Sequence, residues 1–257
     1  MLPHEGEKTS SKLQKIQKTA RAKNGSKAMK ILSLYCGGGG IDEGLRQAGF
    51  HTTLAIDNCE EFSHEDPLET IKLNHPDIET ICGNVEDYKS TFGKMDMVVG
   101  GPPCPEFSRA KTGRNLNPCE VNNFWDIVES TGAKYWIMEN VPDVIKVVKN
   151  RKNYLINCAD YGVPQTRIRR IFTNIPLPKP THSEFPTNTL DGEPMNKWVS
   201  VKEALGLEGL IQNRENVCWK RKKNLRSTDE PSVNNVSDGS GNGRFFIEDR
   251  KTKYFGE

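Results

Sequence analysis

No apolar run in this 257-residue chain approaches the ~18 residues that a membrane-spanning helix needs, so a helical membrane protein is excluded. The N-terminus has no apolar segment followed by a small-residue cleavage site, and no secretory leader is expected. Cysteine is sparse and irregular. The seven, at positions 36, 59, 82, 104, 119, 158 and 218, give neither a paired framework nor a CxxC ligand pair. No disulfide scaffold and no metal site are expected, and a reducing, cytoplasmic setting is the simplest reading. Internal repeats are also missing. What is present, 35% hydrophobic and 27% charged residues, suffices for one substantial α/β core and a small second lobe.

The net charge of +2 conceals an asymmetry. Eight Lys and Arg face only Glu5 and Glu7 within residues 1–30, so this stretch carries +6 and the remainder −4. Residues 1–29 are polar and lack aromatics, which predicts a basic, disordered tail with a marginal helix near Leu13 to Ala22. A solvated extension and a phosphate-binding arm both fit it.

From Lys30 the pattern changes. Ile31–Tyr35 is a short apolar run, Cys36 to Gly40 a glycine loop, and Ile41 to Ala48 has helical spacing, so strand, loop and helix follow in that order. Such a loop lets backbone approach a ligand at a helix N-terminus, although a plain flexible turn has the same composition. Thr53–Asp57 reads as a second strand ending in an acid, placed where a doubly wound sheet presents a carboxylate to ribose hydroxyls; a helix cap is the blander reading. Ile78–Cys82 and Met95–Gly100 supply a third and a fourth strand. The ends at Asp57, Asn84 and Cys104 should therefore converge beyond the strand carboxyl termini. Val121–Ser130 is a helix, Ala133–Met138 a buried strand, and Tyr154–Asn157 and Arg170–Thr173 two more. Beyond Pro176 come a proline-marked linker, a short helix over Val201–Leu207 and a basic patch, Trp219 to Lys223, that suits either solvent or phosphate.

Three segments carry chemistry: Gly100-Gly101-Pro102-Pro103-Cys104-Pro105-Glu106-Phe107-Ser108, then Met138-Glu139-Asn140-Val141, then Gln165-Thr166-Arg167-Ile168-Arg169. A cysteine between prolines, a carboxylate and a forked basic pair suit covalent chemistry on a flat, electron-poor ring such as a pyrimidine. Each alone has a plainer reading: a packing cysteine, or one exposed face of a strand for the arginines.

In this order, with Tyr35-Cys36-Gly37-Gly38-Gly39-Gly40 ahead of them, these motifs resemble the cytosine-C5 DNA methyltransferases from about Lys30 to Pro180. The resemblance implies an α/β fold with a doubly wound mixed sheet of the S-adenosylmethionine-dependent methyltransferase type and a small irregular target-recognition region. It implies methyl transfer from S-adenosylmethionine to C5 of cytosine in double-stranded DNA, through a cysteine–C6 adduct on a flipped base. Cys104 is then the nucleophile, Glu139 the proton donor at N3, and Arg167 and Arg169 the cations that favour the thiolate. Tyr35, Cys36, Gly37, Gly38, Gly39, Gly40, Ile41, Asp57, Asn58, Asn84, Val85 and Pro103 become the cofactor-binding set. Expected domains are 1–29, the tail; 30–176, the catalytic domain; and 177–257, a partial recognition region.

Several residues depart from the family pattern. Pro105-Glu106 follows the cysteine where Gln is common, Asn84 replaces the usual Asp at the adenine, and the stretch from Asn140 to Asp160 is short enough to imply a trimmed helix. Neither the arginine-rich helix motif nor the closing Gly-Asn-Ser motif is found. A complementing polypeptide carrying them is therefore expected, with the apolar opening strand left exposed without it. A catalytically weak DNA-binding subunit and a tRNA cytosine-C5 methyltransferase are the alternative readings.

Overall fold

The computed structural model describes residues 29–58, 67–103, 119–186, 188–189 and 192–206, and the short strand segments 210–212, 225–227, 231–233 and 246–248. The tail, Cys104 with the loop to Pro118, and the Trp219–Lys223 patch lie outside these residues.

The main sheet has seven strands in the order β3-β2-β1-β4-β5-β8-β6. They are β1 (Ile31–Leu34), β2 (Leu54–Asp57), β3 (Glu79–Cys82), β4 (Met97–Gly100), β5 (Tyr135–Asn140), β6 (Asn153–Asn157) and β8 (Ile168–Thr173). β1 pairs in parallel with β2 and β4, β2 with β3, and β4 with β5; β8 runs antiparallel to β5. The order reverses direction at β1 and β4, which creates a crevice at their carboxyl ends. Every residue of β1 and β4 is buried, which explains why both read as continuous apolar runs rather than alternating ones.

Period-two geometry sends neighbouring side chains to opposite faces. Leu32, Leu34 and Val98 join one cluster with Phe124, Ile127 and Phe172, while Ile31, Met97 and Val99 join another with Leu45. The first is sealed by α3 (Cys119–Ser130), whose Val121, Phe124, Trp125 and Val128 share one helical face. The second lies under α1 (Gly40–Gln47). Ser33 is buried within β1, and its hydroxyl donates to Asp42 Oδ2 on α1 at 3.1 Å, while Thr52 donates to Asp42 Oδ1 at 2.7 Å. This network pins α1 to the strands on either side.

The described residues fall into two compact units. One comprises the chain up to Tyr154 with Arg170–Pro178; the other comprises Leu155–Arg169 with Lys179 onward. The second unit holds the two-residue strands β7 (Gln165–Thr166), β9 (His182–Ser183), β10 (Asn196–Lys197) and β13 (Ser232–Val233), and a three-stranded sheet of β11 (Leu210–Gln212), β12 (Leu225–Ser227) and β14 (Phe246–Glu248). It also holds α4 (Val201–Leu205), started by a capping box of Ser200 and Glu203 and ended by Gly206.

Two expectations are corrected. Cys82 is disulfide-bonded, whereas Cys36, Cys119 and Cys158 remain thiols. The opening strand is also not exposed: Ile31, Leu32 and Leu34 are fully buried, because α1, α3 and the flanking strands cover both faces.

Glycine at position 100 is dictated by close packing. A Cβ there would lie 2.3 Å from the Leu34 carbonyl oxygen on the neighbouring strand, so backbone would have to move. Gly100→Ala is expected to destabilise the protein by about 2–3 kcal/mol, read as a lowered denaturant midpoint.

Candidate functional site

In the first unit, β1 to β5 run parallel and bring their carboxyl ends to one edge of the sheet. Tyr35 to Gly40 follow β1, Asp57 ends β2, Asn84 follows β3, Gly101 to Pro103 follow β4, and Glu139 and Asn140 end β5. These segments, read separately in the sequence, meet along that edge.

The glycine loop turns sharply. Gly37 and Gly39 have φ of 52° and 86°, in the left-handed region that other residues avoid. Gly37 N–H donates to Asp57 Oδ2 at 2.5 Å, and Asn58 N–H donates to Asp57 Oδ1 at 2.7 Å. The carboxylate thus ties the β1 and β2 ends together. A Cβ at Gly37 or Gly40 would meet nothing within 4 Å, so the loop borders open space. Gly39 caps α1 without any side-chain hydrogen bond, which leaves the first-turn N–H groups available to a ligand. Asn84 is exposed, and its side-chain oxygen accepts from Glu86 N–H at 3.1 Å, capping a 3-10 turn over Val85–Tyr88.

Other members of the set face inward. Cys36 is buried, its N–H donating to the Ile56 carbonyl at 3.3 Å, and Val85 packs in the core beside α3. Ile41 points away from the loop, against Leu45 and Met97.

The β4 and β5 ends are fastened by Asn140. Its buried side-chain amide donates to the Pro102 carbonyl at 3.1 Å, and its oxygen accepts from Val141 N–H at 2.8 Å. Neighbouring Glu139 lies beside the same segment, with Oε2 3.5 Å from where a Cβ on Gly101 would stand. Glu139 is thereby brought to the stretch that leads into Cys104. Arg170 on β8 serves as a brace: its guanidinium donates to the Pro142 carbonyl at 3.1 Å and to Asn153 Oδ1 at 2.5 Å. Pro142 opens a 3-10 turn, Pro142–Lys146, which stands where a trimmed helix is expected.

Arg167 and Arg169 belong to the second unit. The Arg167 carbonyl accepts from Cys158 N–H at 2.9 Å, and Arg169 donates to the carbonyl of Ile168 at 2.9 Å.

The residue that motif reasoning misses is Glu120, on the first turn of α3. Its carboxylate accepts from the Tyr35 hydroxyl at 2.6 Å, although the two are 85 positions apart. Burial, together with that hydrogen bond, pushes the Tyr35 phenol well above the ordinary tyrosine range.

The first unit also bears an apolar groove of about 280 Å³, lined by Ile41, Leu45, Phe50, Met97, Tyr135, Ile137 and residues 175–178 among others. Among the described residues no helix is long and apolar enough to cross a membrane.

The family model for C-5 cytosine-specific DNA methylase matches residues 29–253. Type II methyltransferase M.AquIA of Picosynechococcus is 29% identical over 225 residues, covering 68% of this chain and 87% of that protein. Type II methyltransferase M.AgeI of Thalassovita gelatinovora is 32% identical over 223 residues, covering 69% of this chain and 50% of that protein. The chain thus spans most of M.AquIA but about half of M.AgeI and of M.DdeI, at 48%. A crystal structure described as a prophage-encoded DNA modification methyltransferase from E. coli shares the fold, with a TM-score of 0.50 at 20% identity over 78% of this chain and 62% of that one.

Proposed function

Because the chain belongs to the C-5 cytosine-specific DNA methylase family, we propose that it methylates C5 of cytosine in double-stranded DNA with S-adenosylmethionine as donor. The observation that carries this reading is the meeting of the glycine loop, Asp57, the Gly101–Pro103 segment and Glu139 along one sheet edge.

The first unit fits the cofactor. The open space at Gly37 and Gly40, the uncapped α1 N-terminus and the Asp57 carboxylate suit a nucleoside with an attached charged amino acid. Tyr35 to Gly40 would hold it, with Asp57 and Asn58 at the ribose, Asn84 and the Val85 backbone at the adenine, and Pro103 at the reacting end. When bound, S-adenosylmethionine supplies an electrophilic methyl group.

C5 of cytosine is a poor nucleophile, so Cys104 adds as thiolate to C6 and makes C5 electron-rich. A thiol of ordinary pKa, ~8.5, is only slightly ionised at neutral pH, and Arg167 and Arg169 supply the positive charge that favours the thiolate. Glu139 holds a proton at N3 as the ring accepts charge. Once C5 carries the methyl, a base removes its proton and the Cys104 sulfur leaves, restoring the aromatic ring. The target base must first leave the stack, at a cost of a few kcal/mol recovered in pocket contacts.

The same reading includes a partner. The apolar groove beside α1 supports a complementing polypeptide that carries the closing motifs and covers it.

Assays with labelled cofactor and either duplex DNA or tRNA test the activity, with label in DNA expected. Removing residues 1–28 is expected to weaken DNA binding at low salt and to flatten its salt dependence, since the tail's Lys and Arg side chains neutralise phosphates. Sequence preference should stay the same, because phosphate contacts carry no base information. Bisulfite sequencing before and after the deletion checks this; an altered recognition site contradicts it.

A further inference from the structure

Tyr35 is one of two non-glycine residues with positive φ among the described residues, at 52°. An aromatic side chain is strained in the left-handed region, and such strain persists only where the surroundings over-determine it. Two sets of contacts do so. The ring packs against the core cluster that contains Phe124 and Val121, and the hydroxyl donates to Glu120 Oε2 at 2.6 Å while lying 3.3 Å from the Glu120 carbonyl oxygen. Asn123, one turn further along α3, donates its amide to the same Oε2 at 3.4 Å and so steadies the acceptor. A carboxylate in the first turn of a helix is also favoured by the helix dipole. The loop that leaves this strained turn delivers Gly37 N–H to Asp57 and then enters α1.

We propose that Glu120 is a positioning residue for the cofactor loop, acting through the Tyr35 hydroxyl to hold the left-handed turn that sets the course of Gly37 to Gly40. The inference rests on the reading of that loop as the S-adenosylmethionine cradle. Its consequence is that a residue on the helix after the Cys104 loop tunes cofactor affinity. A phenylalanine at position 35 would keep the packing and lose the clasp, which separates positioning from core filling.

The test is calorimetric titration of S-adenosylmethionine into the wild type and into Tyr35→Phe, Glu120→Ala, Glu120→Gln and the Tyr35→Phe/Glu120→Ala double variant, with thermal melting of each. Tyr35→Phe and Glu120→Ala should each weaken binding by about tenfold, as expected for one charge-assisted hydrogen bond. The double variant should be no weaker than Glu120→Ala, because both changes remove one interaction. Glu120→Gln, which keeps an acceptor oxygen, should fall in between. Melting temperatures should remain within about 2 °C of the wild type. Unchanged affinities, multiplying effects, or a loss of affinity that follows a matching fall in melting temperature would overturn the proposal. If the wild type itself fails to bind S-adenosylmethionine, alone or with a complementing polypeptide, the cofactor reading falls and this inference with it. If the wild type binds and the variants bind equally well, the inference alone falls.

Discussion

Replacing Cys104 with serine should reduce methyl transfer by at least about 10³-fold while leaving cofactor affinity close to that of the wild type. The hydroxyl is a far weaker nucleophile than a thiolate at neutral pH, and the glycine loop is untouched by the change. Single-turnover transfer of labelled methyl groups, with cofactor titration in parallel, separates the two quantities. Duplex DNA carrying 5-fluorocytosine adds an independent reading. The sulfur adds to C6 and C5 takes the methyl, but fluorine stands where the departing proton should be, so elimination cannot follow. The wild type should form an adduct that survives denaturation, and Cys104→Ser should form none. Normal turnover by the serine variant would remove Cys104 from the mechanism.

The second large effect concerns the groove beside α1. Ile31, Leu32 and Leu34 are sealed, but apolar surface at Ile41, Phe50 and Ile137 lines the groove of about 280 Å³. A surface of that kind favours a covering segment. Residues 1–257 alone are expected to bind S-adenosylmethionine weakly and to methylate DNA poorly. A polypeptide carrying the arginine-rich helix and Gly-Asn-Ser motifs should restore both, raising cofactor affinity by about tenfold or more through linked binding. Titration with and without that polypeptide reads the effect directly. Full activity from the isolated chain would show that no partner is needed.

The sheet was legible where burial is complete. Ile31–Leu34 and Met97–Gly100 are covered on both faces, so their apolar runs mark strands without ambiguity. The third strand is read correctly to within one residue, as Glu79–Cys82. The strand after α3 was expected to stop at Met138, yet it continues through Glu139 and Asn140, which pair with Ile171 and Arg170. Polar residues extend a strand there because a partner strand supplies the hydrogen bonds, which local propensity does not register.

Other elements left weaker traces. The helix α2 (Pro67–Asn74) buries only Leu68 and Ile71 and exposes Leu73 at 83%, so its apolar stripe is too thin to read. The strands of the second unit are two or three residues long and follow from tertiary pairing, as in Ser232 and Val233 against Gln165 and Thr166. For the site, the motif residues Tyr35 to Gly40, Asp57 and Glu139 come together along one sheet edge. The clasp from Tyr35 to Glu120 left no such mark, because a contact spanning 85 positions between a loop and a helix has no period and no fixed spacing.

Nucleoside mass spectrometry of duplex DNA and tRNA, incubated with S-adenosylmethionine and the chain with and without a polypeptide carrying the arginine-rich helix and Gly-Asn-Ser motifs, tests the proposed methyl transfer most directly. The expected result is 5-methylcytosine in the DNA, none in the tRNA, and none in either when Cys104→Ser replaces the wild type. Methylation confined to tRNA, or 5-methylcytosine in DNA formed equally well by the serine variant, would contradict it.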